Sequence, residues 1–332
     1  MTQPNPAHPP AGALAIVQNA AVVKPGERVA VIADERSRPV AEHFVAAVAA
    51  VGGCAELILI PLPHSHGVQP PEDKVAAIMK AHVALGATTF SLSHTPLRVG
   101  FCRCGGRFLS LADYDLEMLA GGGTLADFAA TAPVVRRVAT CLEQARTVHI
   151  RTRGGSDLRC VVAGRKAMAA PAYCPNPGDF GSPPDIEANI TPIEDQTEGV
   201  LIVDGSIPLP SIGLVETPVV ITIKRGRAVN VTGGREAVEL KRVWDTAGNP
   251  AVRVAAELGL GLNRAARLCG RMLEDEGVYG TVHIGFGSNV TIGGKNAAPL
   301  HIDAVCRHAT VRTDRQVIME DGQLAPDLEA RA

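Results

Sequence analysis

Four side chains able to hold a metal ion stand close together in the last third of the sequence: Glu257 in VAAELGLGLN, His283 in GTVHIGFGSN, and His301 with Asp303 in APLHIDAV. On a strand, residues i and i+2 project from the same face, so His301 and Asp303 would point together at one cation. Imidazole plus carboxylate suits zinc, iron, cobalt or manganese, whereas calcium prefers oxygen ligands alone. Glu257 and His283 lie in apolar, Gly-rich runs, where a charged group needs a partner. Taken singly, each has an ordinary structural explanation as a hydrogen-bonded pair, a cap or a core imidazole. Together, four groups that each cost free energy to desolvate argue for a shared ion. Lys295, in the turn-rich TIGGK, and Arg36 are candidates to anchor an anionic substrate.

These residues need strands to carry them, and the texture of the chain supplies strands. RVAVIAD, PVAEHFVAAVAAVGG and AELILIPLP read as a β-α-β unit, followed by a helix in KVAAIMKAHVALG and a strand in TTFSLS ending at His94. Alternating strands and helices argue for a parallel sheet with helices on both faces. The turn at Asp34-Glu35-Arg36-Ser37 falls where doubly wound folds bind ligands, but GxGxxG is missing, so this domain reads as scaffold. Further on, ARTVHIRTRGGSDLRCVVAGRKA reads as a hairpin turning at Gly154-Gly155, and TEGVLIVDGSI, TPVVITIKRGRAVNVTGG and VRTDRQVIMEDGQL as further strands. Helices are expected in REAVELKRVWDTAG and in NRAARLCGRMLED. The expected organisation is a disordered arm over residues 1–10, an N-terminal doubly wound α/β domain over 11–135 and a mixed α+β metal-binding domain over 136–332.

Composition removes several classes of function. The 332 residues carry 32 Lys+Arg against 34 Asp+Glu, and only 3% are aromatic, which argues against nucleic-acid binding. No apolar run is long enough to cross a bilayer, and the polar, Pro-rich start MTQPNPAHPPAG lacks the features of a secretory signal, so a cytoplasmic protein is expected. The eight cysteines form no CxxC pair, and neither GxxxxGK[ST] nor GxSxG occurs, which removes the zinc knuckle, the phosphate loop and the serine nucleophile.

The strings AELGLGLN, EDEGVYGTVHIGFGSN, IGGKNAAPLHID and IMEDGQL resemble the C-terminal half of the metalloaminopeptidases of the aminopeptidase T and S type. Over about residues 140–325 they are also similar to 2,5-dihydroxypyridine 5,6-dioxygenase, a mononuclear non-haem Fe(II) relative of those peptidases. The aminopeptidase resemblance implies ligation by Glu194 (in NITPIEDQTEGVLIVDGSI), Glu257, His283, His301 and Asp303, with room for two ions sharing a water. It also implies a tyrosine seven residues after His283, where this chain has Val290. The dioxygenase resemblance implies a two-histidine, one-carboxylate triad in which Glu257 stands at the position of the first histidine.

The leading expectation is a metal-dependent hydrolase of an amide or related carbon–nitrogen bond in a small molecule. One or two divalent ions (Zn, Co, Mn or Fe(II)) would activate water, Glu194 or Glu257 would serve as general base, and Lys295 would anchor substrate. The alternative is a ring-cleaving Fe(II) dioxygenase acting on a hydroxylated pyridine. A metal-free binding protein is a third reading. Partners are expected to be a small-molecule substrate and further copies of the chain, the latter by resemblance to homo-oligomeric relatives, with neither nucleic acid nor membrane.

Overall fold

The structure, a computed structural model, describes residues 9–329; most of the arm expected over residues 1–10 lies outside the described residues. The chain divides into two compact units. One takes the described residues up to Ala132 together with Ala172–Pro184, and the other takes Pro133–Pro171 and the described residues from Asp185 onward. Among the described residues no single helix is long and apolar enough to cross a membrane.

The first unit is built on a parallel five-stranded sheet in the order Cys54–Leu59, Arg28–Ala33, Val83–Gly86, Arg107–Ser110, Phe180–Gly181. Its central strands read as unbroken apolar runs because helices cover parallel sheets on both faces: Val29 to Ala33 and Val83 to Leu85 are all buried. The helix Arg38–Ala50 ends at Gly52, whose φ of +80° is a conformation that only glycine adopts without strain. The strand expected in TTFSLS is instead VALG, and TTFSLS runs as irregular chain. The reason lies in Asp34, whose carboxylate takes the Thr89 N–H at 2.7 Å and the Thr89 hydroxyl at 2.8 Å. Asp34 also accepts from the N–H groups of Arg36 and Ser37. The turn at Asp34-Glu35-Arg36-Ser37 is thus closed on itself, with Arg36 exposed beside it.

The second unit contains two antiparallel sheets. An eight-stranded sheet runs in the order Arg227–Thr232, Val219–Lys224, Thr197–Val203, Asp157–Val161, Thr147–Thr152, Ala309–Thr313, Val317–Glu320, Gln323–Leu324. It includes the hairpin expected around Gly154-Gly155, with Gly155 at φ +102°. A seven-stranded sheet runs in the order Gly213–Leu214, Ser206–Ile207, His301–Cys306, Val282–Gly287, Ala255–Gly261, Glu187–Ile190, Ala167–Ala170.

The central strands of this second sheet alternate apolar and polar faces, apart from a bulge between Ala255 and Glu257. Ile190, Leu258, Leu260, Val282, Ile284, Phe286, Ile302 and Ala304 occupy one face and are buried. Phe286 packs edge-on against Trp244, 5.3 Å between ring centroids, from the expected helix Arg235–Thr246. The other face carries the polar residues of interest. In NRAARLCGRMLED only Met272–Asp275 is helical. There, side chains satisfy the backbone that a helix would have paired: Asn263 accepts from Ala265 N–H, Glu274 from Arg267 N–H, and Asp275 from the N–H groups of Cys269 and Gly270.

Candidate metal centre

Strand register decides which side chains meet. Gly285 pairs with Glu257 on one side and Asp303 on the other. In the next row Gly259 lies between Asn189 and His283. Beyond it Gly261 pairs with Glu187, and at the opposite end Gly287 pairs with His301. Glu257 shares this face with Gly259 and Gly261 by alternation, and a bulge between Ala255 and Glu257 sends Ala255 to the apolar face opposite Phe286.

Each candidate ligand therefore has a glycine beside it in the row. A Cβ on Gly259 would lie 2.1 Å from His283 Nε2 and 2.7 Å from Glu187 Oε2; one on Gly285 would lie 2.6 Å from His301 Nε2 and 2.9 Å from Asp303 Oδ1. The glycines of LGLGLN and HIGFG leave the space in which the ligand atoms converge.

Two trios result, Glu187/Glu257/His283 and Glu257/His301/Asp303, and within each the ligand atoms lie within 4.8 Å of one another. His301 Nε2 is 3.1 Å from both Glu257 Oε2 and Asp303 Oδ1. His301 Nδ1 lies 2.8 Å from the Ser288 carbonyl oxygen. A carbonyl can only accept, so Nδ1 carries the hydrogen and Nε2 presents its lone pair to the carboxylates unless a second proton sits there. Two anionic oxygens aimed at one nitrogen are balanced by a proton on that nitrogen or by a metal ion between them. His283 Nε2 lies 3.1 Å from Glu187 Oε2, and Asn189 Nδ2 donates to Glu187 Oε1 at 2.6 Å.

Electrostatics lead to the same place. Burial works to lower the basicity of both rings, but the carboxylates outweigh it: Glu187 raises His283 to about 9, and Asp303 with Glu257 holds His301 well above its ordinary value. Burial pushes Glu257 up, with repulsion from Glu187 and Asp303 adding to it and His301 opposing. Asp303 lies well below the carboxylate range because His301 and His283 overcome its desolvation. Two further buried carboxyls, Asp185 and Glu276, are pushed far upward by burial and by their acidic neighbours, and Glu276 shares a hydrogen bond with Asp303. Asp185 Oδ1, Glu276 Oε1 and His283 Nδ1 are buried without a hydrogen-bond partner. So many carboxylates around two imidazoles offset one another only if protons or a divalent ion occupy the site, and the donor set fits a divalent transition metal.

Of the residues singled out in the sequence, Glu257, His283, His301 and Asp303 come together, and Glu194 does not join them. It sits in the connection between the Glu187–Ile190 and Thr197–Val203 strands, paired with Arg165 and accepting from Lys295 N–H at 2.7 Å. Glu187, seven residues earlier, stands where Glu194 was expected. Its signal was present: Glu187-x-Asn189 repeats the i, i+2 spacing of His301-x-Asp303. Lys295 is exposed on the segment between Gly287 and His301, and Val290 on the same segment is 50% exposed.

A family model described as NicX, 2,5-dihydroxypyridine 5,6-dioxygenase, matches residues 14–326. The chain belongs to this family. Within the 2,5-dihydroxypyridine 5,6-dioxygenase family it is 28% identical to the 2,5-dihydroxypyridine 5,6-dioxygenase of Pseudomonas putida KT2440 over 257 residues, 74% of this chain and 71% of that one. The solved 2,5-dihydroxypyridine dioxygenase from the same organism superimposes with a TM-score of 0.81 at 23% identity, covering 96% of this chain and 97% of that one. Wild-type AmpT from Thermus thermophilus superimposes with a TM-score of 0.62 at 15% identity, covering 95% and 98%. At these identities the two structures establish the fold, which the dioxygenase family shares with AmpT. The hydrolytic activity expected first from the sequence has support only from that shared fold, whereas the ring-cleaving alternative has the family match behind it.

Proposed function

We propose that the protein is a mononuclear non-haem iron(II) dioxygenase that opens the ring of a hydroxylated pyridine or a closely related small aromatic. The observation that carries this reading is the His301 ring, fixed by Ser288 through Nδ1 and facing the carboxylates of Glu257 and Asp303 through Nε2, in a chain of the 2,5-dihydroxypyridine 5,6-dioxygenase family. Glu257, His301 and Asp303 would hold the ion. One imidazole and two carboxylates balance a divalent charge and leave coordination positions open. When bound, the ion supplies a Lewis-acid centre at which a substrate hydroxyl and dioxygen are brought together.

The remaining groups orient substrate and handle protons. Asn189 holds Glu187 in place, and Glu187 Oε2 with His283 Nε2 forms a buried proton-exchange pair facing the same space. Lys295 lies on the segment that leads into His301, where it would attract a substrate anion. Both atoms of dioxygen enter the product as the bond between ring carbons 5 and 6 breaks, so no external reductant is required.

One observation favours a second reading. Glu257 belongs to both trios, which is the layout of two ions sharing a carboxylate and activating water for hydrolysis. The test is direct. Anaerobically reconstituted iron protein is mixed with 2,5-dihydroxypyridine in an oxygen electrode: uptake of one dioxygen per ring opened supports the dioxygenase, and metal-dependent turnover of amides without dioxygen supports the hydrolase.

A further inference from the structure

We infer that Glu194 is a positioning residue that clamps the wall of the substrate entrance. The entrance follows from burial: Glu187, Glu257, His283 and Asp303 are 5%, 7%, 1% and 3% exposed, while the His301 side chain is 30% exposed. The site therefore meets solvent at His301, and the adjoining wall is the segment 288–300, which leaves the sheet after Gly287 and returns at His301, the residue paired opposite it.

The base of that segment is tied down from within. Asn289 is fully buried; its Oδ1 accepts from Asn296 N–H at 2.8 Å and its Nδ2 donates to the Ala256 carbonyl at 3.1 Å, next to the ligand Glu257. Asn296 Nδ2 donates to the carbonyls of Gly287 and Ala251.

The clamp on the outer part comes from elsewhere in the chain. Glu194 Oε1 accepts from Lys295 N–H at 2.7 Å and from Asn289 Nδ2 at 3.3 Å. Its Oε2 pairs with Arg165, and Arg165 Nη1 donates to the Gly293 carbonyl at 3.1 Å. Burial opposes the charge on Glu194, but these donors hold its carboxyl below the ordinary range, so the carboxylate stays charged at neutral pH. Charged hydrogen bonds to main-chain groups are the stronger kind. They hold the course of the main chain at Gly293 and Lys295, whose side chain is exposed. Glu194 thus touches neither ion nor substrate; it acts through the segment it holds.

The inference rests on the proposed site in placing the mouth at His301. Glu194→Ala and Glu194→Gln are compared with wild type in three measurements: anaerobic Co(II) titration, amide hydrogen exchange over residues 289–296, and steady-state turnover of 2,5-dihydroxypyridine by the iron protein. The expectation is faster exchange at Lys295 in Glu194→Ala, Co(II) affinity and kcat within about threefold of wild type, and KM raised about tenfold, the scale of one hydrogen bond to a charged group. Glu194→Gln, which keeps an acceptor for Lys295 N–H, should fall between the two. Loss of Co(II) binding to the level of His301→Ala would make Glu194 a ligand and overturn the clamp. Unchanged exchange and unchanged KM would overturn it as well. Should wild type not turn over this substrate, the functional reading fails, and the exchange and Co(II) measurements still decide the clamp.

Discussion

The His301 ring nitrogen Nδ1 lies 2.8 Å from the Ser288 carbonyl oxygen, and this contact fixes which nitrogen can bind a metal. The ligand is therefore prepared by a residue thirteen positions earlier, at the other end of the 288–300 segment. Ring orientation, tautomer and the course of that segment become one property of the fold.

Removal of a ligand should be severe. His301→Ala and Asp303→Ala are each expected to weaken divalent metal binding by more than about 100-fold, beyond the range seen for outer partners of a ligand. Elemental analysis after dialysis checks this, with Glu194→Gln retaining its metal as the contrast.

The glycines beside the ligands should behave as part of the site. Gly259→Ala would place a methyl 2.1 Å from His283 Nε2, and Gly285→Ala one 2.6 Å from His301 Nε2, in a buried sheet that cannot easily yield. Each should destabilise the fold by roughly 1–3 kcal/mol and reduce metal content. Gly100→Ala, in the helix Pro96–Arg103 with nothing within 4 Å of its Cβ, should be neutral or stabilise by about 0.5–1 kcal/mol. Thermal unfolding of the three variants checks the contrast.

Metal affinity should depend on pH in a defined direction. In the metal-free protein burial works against a charge on His301, but Asp303 and Glu257 hold its basicity well above the ordinary value, so the ring carries an extra proton at neutral pH. A metal bound at Nε2 must displace it. Affinity is accordingly lowest in acid, rises by about tenfold per pH unit through neutrality, and levels off once pH passes the raised value. Co(II) titrations at several pH values read this slope, and a flat profile would remove His301 from the binding equilibrium.

The apolar face beneath the site should set overall stability. Phe286→Ala removes a fully buried ring packed on Trp244 and is expected to cost about 3–5 kcal/mol. Because Phe286 neighbours Gly285 and Gly287, residual folded protein should also bind metal more weakly. Denaturant unfolding followed by metal titration separates the two effects.

Period-2 patterning made much of this legible. HID, VHIGFG and AELGLG announce strands with polar and apolar residues on opposite faces, and the donor types in them name the chemistry. Glu187 shares an i, i+2 spacing with Asn189 in IEANI, but a carboxylate followed by an amide does not by itself name a metal site, and its place is set by the pairing of Gly261 with Glu187 across strands distant in sequence. Glu194 is a ligand candidate only through the resemblance of NITPIEDQTEGVLIVDGSI to the aminopeptidases, and the connection in which it lies turns its carboxylate toward Arg165 and Lys295. TTFSLS carries β-forming residues, but a long-range bond from Thr89 to Asp34 takes that stretch out of the sheet. In each case the deciding interaction joins residues far apart in the chain, where local pattern holds no information.

Glu257, His301 and Asp303 are proposed to form an iron(II) site for ring-opening oxygenation. Anaerobic iron titration followed by dioxygen uptake with 2,5-dihydroxypyridine tests it most directly. The expected result is one iron per chain, one dioxygen consumed per ring opened, and loss of both in Asp303→Ala. Full turnover of a carbon–nitrogen substrate by zinc-loaded protein under nitrogen, with no dioxygen uptake by the iron form, would contradict it.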